Sequence, residues 1–170
     1  MIGKSLVIGV AAAASLIYAS LSSRADDEFL AAVMRELPEA SVSLDQALKT
    51  SERGGTPISA EYDVEDGDLQ ISVYTKQDDH FSEVIIDPKS GSIKSIKPLA
   101  DPKELNEAQA QSAALSKAKL PLAAALGAAV GANSAYRAVS IIPMLGDNEA
   151  VAAITLLKGG DIRQVTEKLD

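Results

Sequence analysis

The alternation of apolar and polar residues on both sides of Asp66-Gly67 constrains the fold more than any other feature of this sequence. Every second residue is apolar from Ile58 to Val64, and the alternation resumes from Leu69 to Val73. An Asp-Gly pair between two alternating runs is a strong signal for a tight β-hairpin. We therefore expect two antiparallel strands joined at Asp66-Gly67.

A helix is predicted directly before this hairpin. Ser43 and Gln46 have the spacing of a capping box, in which a serine N-cap is followed three residues later by a glutamine. The helix is expected to run from Leu44 to about Arg53, because Gly54-Gly55 is a typical stop signal.

Two further turn signals follow the hairpin, at Gln77-Asp78-Asp79 and at Asp87–Gly91. They separate two more predicted strands, Phe81–Ile86 and Ile93–Pro98. The block is thus expected to form one helix followed by a four-stranded antiparallel meander.

The same order returns, more loosely, in the second half of the chain. A helix is predicted over Leu122–Val130, and it is followed by strands at Tyr136–Ile142, Ala150–Leu157 and Ile162–Leu169. Apolar helix positions can be matched between the halves: Leu44, Ala47 and Leu48 with Leu122, Ala125 and Leu126. In the strands, the match pairs Ala60 and Val64 with Ala138 and Ile142, and Asp66-Gly67 with Gly146-Asp147. We interpret this as an internal duplication of about fifty residues per unit.

This ordered series resembles the PepSY family, a small secreted module named for peptidase propeptides and a spore-germination protein. The resemblance rests on the start Ser43–Leu48, the Gly54-Gly55 break, the acidic hairpin and the turn Asp87–Gly91. It implies an α+β fold of two tandem PepSY-like units, each with one helix packed on a three- to four-stranded antiparallel sheet. The second unit is truncated, since it lacks the Asp87–Gly91 turn and the fourth strand.

The first 25 residues have the features of a targeting segment. Lys4 precedes a short apolar run, and small residues before Asp26 suit cleavage after Ala25 or after Ala19. An uncleaved segment would instead anchor the chain in the inner membrane. The predicted organisation is a signal peptide or anchor at 1–25, a lead-in helix at 26–39, units at 40–99 and 117–170, and a helical connector at 100–116. The expected location is the periplasm or the cell exterior.

Composition removes most chemistry. The chain has no cysteine and one histidine, His80, and its 16 basic and 24 acidic residues give a net charge of −8. Thiol nucleophiles and thiolate or histidine-rich metal sites are excluded, and the acidity argues against nucleic-acid binding. We predict no catalytic, cofactor-binding or metal-binding residues and do not expect an enzyme. The negative charge favours a basic partner.

The second unit differs from the first in its face pattern. Val151–Leu157 is apolar on both faces, and such a strand needs cover on both sides. The Leu122–Val130 helix covers one side; the first unit, the lead-in helix or another protein would cover the other. We predict a candidate interface on this outer face, formed by Val139, Ile141, Ala153 and Thr155, with packing within the monomer as the alternative.

The resemblance implies a function in binding, since PepSY modules are thought to restrain peptidases or to serve as extracytoplasmic interaction modules. We expect a non-catalytic exported protein-binding module, with another envelope protein such as a peptidase as its partner, or a second copy of itself. The alternative is a structural or membrane-tethered component of an envelope complex, in contact with the membrane only through an uncleaved N-terminal segment.

Overall fold

The computed structural model describes residues 23–170, and their side chains from Leu30 onward. Within this range the chain forms four α-helices and seven β-strands. The helices are α1 (Ser23–Glu36), α2 (Leu44–Ser51), α3 (Pro102–Leu115) and α4 (Leu122–Ala132). The strands are β1 (Thr56–Glu65), β2 (Asp68–Gln77), β3 (His80–Ile86), β4 (Ile93–Pro98), β5 (Arg137–Gly146), β6 (Glu149–Lys158) and β7 (Asp161–Lys168). The predicted targeting segment lies outside the described residues, except for its last three, which belong to α1.

Helix α2 begins at Leu44, as the sequence predicts, and ends at Ser51, two residues before the predicted end. The Ser43 hydroxyl accepts from the Gln46 backbone N–H, and the Gln46 side chain accepts from the Ser43 N–H at 2.8 Å, so both halves of the capping box are present. A short 3-10 turn then leads to Gly55, which has a φ of 136°. A Cβ added there would lie 2.7 Å from the Lys76 carbonyl oxygen, so glycine is required at this close approach.

The seven strands form one antiparallel sheet in the order β4-β3-β2-β1-β5-β6-β7. The α+β class is therefore confirmed, but the expectation of a separate sheet for each unit is wrong. The two halves meet at the centre, where Ala60 pairs with Ile141 and Glu61 with Ser140. The inner edges of β1 and β5 hydrogen-bond to each other, which removes two exposed sheet edges.

The element order of the first half is repeated in the second at a constant spacing. Strands β5, β6 and β7 each begin 81 residues after β1, β2 and β3. The predicted match of Ala60 with Ala138 is wrong by three residues, since at this spacing Ala60 corresponds to Ile141. The reason is the helix: α4 has 11 residues and α2 has 8, so the strands are displaced relative to the helices.

The main core lies between α1, α2 and α4 on one side and a single face of the sheet on the other. The first half contributes Ala60, Tyr62, Ile71, Val73, Val84 and Ile86, and the second Ile141, Ala152, Ile154 and Leu156. All six matched helix positions are buried: Leu44, Ala47, Leu48, Leu122, Ala125 and Leu126. The apolar pattern of both halves thus faces one shared core.

Helix α3 lies across the opposite face of the sheet, in contact with β1, β5 and β6. Asp101 caps it through hydrogen bonds to the N–H groups of Lys103 (2.8 Å) and Glu104 (3.2 Å). Its fully buried side chains are the small ones of Ala108 and Ala114, which allow the helix to approach the strands closely. The predicted connector is therefore also the second layer over the centre of the sheet.

Candidate interaction surface

The four residues of the predicted interface do not share one face of the sheet. Ile141 pairs with Ile154 and belongs to the core beneath the helices, and Val139 lies in the same core next to a β-bulge. Their exposures are 0% and 4%. The assignment of Val139 and Ile141 to the outer face is therefore corrected: the hairpin register, which pairs Gly146 with Glu149, sets Ile141 opposite the core residue Ile154 and Ile142 opposite Ala153.

Ala153 and Thr155 do lie on the outer face. They pair with Ile142 and Ser140, and all four of these residues are half-buried. Helix α3 contacts β5 and β6 on this side. The apolar pattern predicted that this face is covered by the first unit, the lead-in helix or another protein. In the structure α3, which was not among these candidates, covers it.

The first half of the same face is polar and acidic. Glu61 and Asp63 of β1 and Glu83 of β3 lie on the sheet, and Glu104 and Glu107 come from the first turns of α3. We call these five residues the acidic face. Beside them, the Lys103 ammonium approaches the Glu107 carboxylate to 3.9 Å.

Glu61 is the centre of the acidic face. It is half-buried between the cross-strand neighbours Ser72 and Ser140. Its pKa is raised from 4.5 to about 7, mainly by burial and in addition by the carboxylates of Asp63, Glu107 and Glu83. Near neutral pH, both the protonated and the ionised form of this carboxyl group are therefore populated.

Burial and the same carboxylates also raise the pKa values of two neighbouring side chains, Tyr74 and Glu104. Burial, followed by the charges of Glu104 and Glu83, raises the pKa of the Tyr74 phenol, so it stays a neutral hydrogen-bonding group. The pKa of Glu104 is also raised, first by burial and then by Glu83. Glu83 accepts a 2.6 Å hydrogen bond from the Ser72 hydroxyl, which fixes its carboxylate on the sheet.

The acidic face continues toward the tip of the first hairpin. The buried Gln70 amide donates to a Glu65 carboxylate oxygen at 3.2 Å and to one of Asp63 at 3.5 Å. One amide thus holds two carboxylates of β1 in place. At the other end of β2, the turn Asp78-Asp79 and the following His80 are exposed.

Taken together, these groups form a fixed anionic surface whose members repel one another. A Lys or Arg side chain from outside would relieve this repulsion and would lower the pKa of Glu61. Among the side chains that the structure describes, from Leu30 to Asp170, no group of three or more histidine, aspartate or glutamate residues has a geometry that could hold a metal ion. No helix within residues 23–170 is long and apolar enough to span a membrane.

Searches of protein-family models, of curated proteins and of solved structures find no match to this chain.

The acidic face was missed from sequence because the connector was not assigned a position. Two signals were available. The alternation that makes Ala60 and Tyr62 apolar also places Glu61 and Asp63 together on the other face, and Glu104 and Glu107 are spaced as neighbours on one side of a helix. Only the packing of α3 on that face brings the two sets together.

Proposed function

We propose that this chain is a non-catalytic, exported protein-binding module whose acidic face binds a basic surface of another envelope protein. The observation that carries the proposal is the packing of α3 on the sheet, which brings the carboxylates of its first turns beside those of β1 and β3. Their charges add to the effect of burial in raising the pKa of Glu61. A partner with Lys or Arg side chains gains attraction here and relieves the repulsion among these carboxylates.

The resemblance to the PepSY family supports the choice of partner. We propose that each half is a PepSY-like unit, the first with its fourth strand and the second truncated. The Asp87–Gly91 turn of the first half is a built feature: an Asp87 carboxylate oxygen accepts from the N–H groups of Lys89 (3.0 Å) and Ser90 (2.7 Å). The Pro88 carbonyl then accepts from Ser41 and Val42, which attaches the turn to the segment before α2. A peptidase of the envelope is the partner that this family suggests.

The proposal is tested by affinity capture from an envelope extract with the full chain and two charge variants. Glu104→Lys combined with Glu107→Lys reverses the charge of the acidic face on α3. Glu52→Lys combined with Asp79→Lys makes the same net change at exposed positions elsewhere. We expect the protein retained by the wild type and the control to be lost from the acidic-face variant, and to be released by added salt.

A captured peptidase that is slowed by added wild-type chain, but not by the acidic-face variant, would support the restraining role. Equal capture by all three chains at every salt concentration would contradict the use of the acidic face.

A further inference from the structure

Strand β7 is at one end of the sheet, and its outer edge pairs with no other strand of residues 23–170. In the first half, the corresponding strand β3 has β4 on that side. Strand β7 thus presents unpaired backbone N–H and C=O groups at the position where its counterpart has a neighbour. Such an edge is a template for pairing with another strand.

One hydrogen bond shows which residues of β7 have backbone N–H and C=O groups that point away from β6. The Leu169 N–H donates to the Ala150 carbonyl at 2.9 Å, and the β6–β7 register continues from there without a shift. Hydrogen-bonded pairs alternate along an antiparallel ladder, so the backbone groups of Arg163, Val165 and Glu167 point to β6. The residues whose backbone groups point outward are Ile162, Gln164, Thr166 and Lys168.

The free edge ends at Lys168. The Leu169 carbonyl accepts from the backbone N–H groups of Lys119 and Leu120, so the chain itself occupies that position. The available edge, Ile162–Lys168, is centred on Val165.

We infer that a second copy of this chain pairs with β7, antiparallel and about a two-fold axis at Val165. In this register Ile162 bonds to Lys168 of the partner subunit and Gln164 to the partner's Thr166, so outward groups meet outward groups. A shift of two residues in one direction would place Asp161 opposite Glu167 of the partner subunit. A shift in the other direction would place Arg163 opposite the partner's Leu169, beyond the free edge.

The side chains fit the same register. Arg163 is opposite Glu167 of the partner subunit, and the symmetry makes this ion pair twice, on either side of the two half-buried Val165 side chains. In the monomer the Arg163 guanidinium donates to the Asn133 side-chain oxygen (2.6 Å) and the Tyr136 hydroxyl (2.9 Å). Since arginine has five N–H donors, donors remain for a carboxylate.

Cysteine cross-linking tests the position of the axis. The chain has no cysteine, and Val165 would meet its symmetry mate as a non-hydrogen-bonded pair, with Cα atoms about 4.5 Å apart and within disulfide range. We expect Val165→Cys in the full chain to form a disulfide-linked dimer under mild oxidation. The more exposed control, Ile162→Cys on the same edge, is expected to stay unlinked. Equal linking of both, or of neither, would overturn the register.

Charge reversal tests the contacts by light scattering after size-exclusion chromatography. Arg163→Glu and Glu167→Arg are each expected to be monomeric, whereas Lys94→Glu on the opposite edge, strand β4, keeps the dimer. Mixing the two single variants is expected to restore a dimer, since the mixed pair has opposite charges at both contacts. The double variant with both changes is expected to form a dimer by itself, which would show that the substitutions do not prevent folding.

A wild-type monomer at high concentration, or failure of both rescues, would overturn the proposal. None of these variants touches the acidic face, so failure here leaves the proposed function untouched.

Discussion

Arg137 joins the second half of the molecule to the segment before α2. Its guanidinium donates to the carbonyls of Ala40 (2.8 Å) and Val42 (2.8 Å), to that of Leu37 at 3.3 Å, and to the Tyr62 hydroxyl at 2.6 Å. It also lies over the Tyr62 ring, 5.1 Å from the centroid. One half-buried side chain thus satisfies polar groups of the segment between α1 and α2 and of strand β1.

We expect Arg137→Ala to lower the free energy of unfolding by about 2–3 kcal/mol, because several buried acceptors lose a charged donor at once. Urea denaturation followed by circular dichroism measures this change. The control is Arg35→Ala, which removes an exposed pair with Glu36 and is expected to cost less than about 0.5 kcal/mol. Equal effects of the two substitutions would show that Arg137 does not connect the halves.

Glu61 makes the stability of the fold depend on pH. Its pKa is about 7 in the folded chain and 4.5 as the ordinary value. Between these two pH values the folded state binds more protons than the unfolded state. The contribution of Glu61 to the free energy of unfolding is therefore fully present below about pH 4.5 and is lost as the pH rises through 7. Asp87 has a lowered pKa, so its opposite contribution is lost only at lower pH.

We expect the wild type to be less stable at about pH 8 than at about pH 5, by about 2 kcal/mol from Glu61 alone after allowance for its partial exposure. Glu61→Gln, which cannot ionise, should lose most of this difference. Glu39→Gln at an exposed position should retain it. Urea unfolding of the three chains at both pH values provides the comparison, and the same pH dependence in Glu61→Gln would contradict the assignment.

At the scale of elements, α2 and α4 occupy corresponding places but begin differently. Helix α2 has the complete capping box of Ser43, whereas α4 follows Pro121, which makes no side-chain cap. The first helix thus depends on a local signal, and the second depends more on its buried apolar side chains.

The capping box can be tested by Ser43→Ala, for which we expect a loss of about 1 kcal/mol in the free energy of unfolding. Ser41 is a matched control: it is exposed and two residues earlier, and its bond to the Pro88 carbonyl uses only backbone. Ser41→Ala should therefore leave the unfolding midpoint nearly unchanged. An equally small effect of Ser43→Ala would mean that packing alone starts α2.

Elements whose signals are local could be predicted from sequence. The capping box located α2, and Asp66-Gly67 located the first hairpin, where both residues have positive φ (54° and 87°). The end of β5 was predicted at Ile142, four residues before the strand ends at Gly146. The strand continues through Pro143 to Gly146. Its ladder with β1 ends at Ile141, so Pro143, which has no backbone N–H, is not required to donate a hydrogen bond to β1.

At the scale of the whole molecule, long-range pairing could not be predicted. The alternation in β1 and β5 indicates which residues face a core, but it does not indicate which free edge meets which. The pairing of Ala60 with Ile141 joins corresponding residues of the two halves and makes one sheet of seven strands. Helix α3 then lies across the join, and this placement assembles the acidic face from both β1 and the connector.

The most direct test of this account is a nuclear Overhauser spectrum of the isotopically labelled chain. We predict backbone contacts between Ala60–Glu61 and Ser140–Ile141, in addition to those within each half between β1 and β2 and between β5 and β6. Contacts within each half without any between β1 and β5 would show two separate sheets, and would contradict both the single-sheet architecture and the assembly of the acidic face that depends on it.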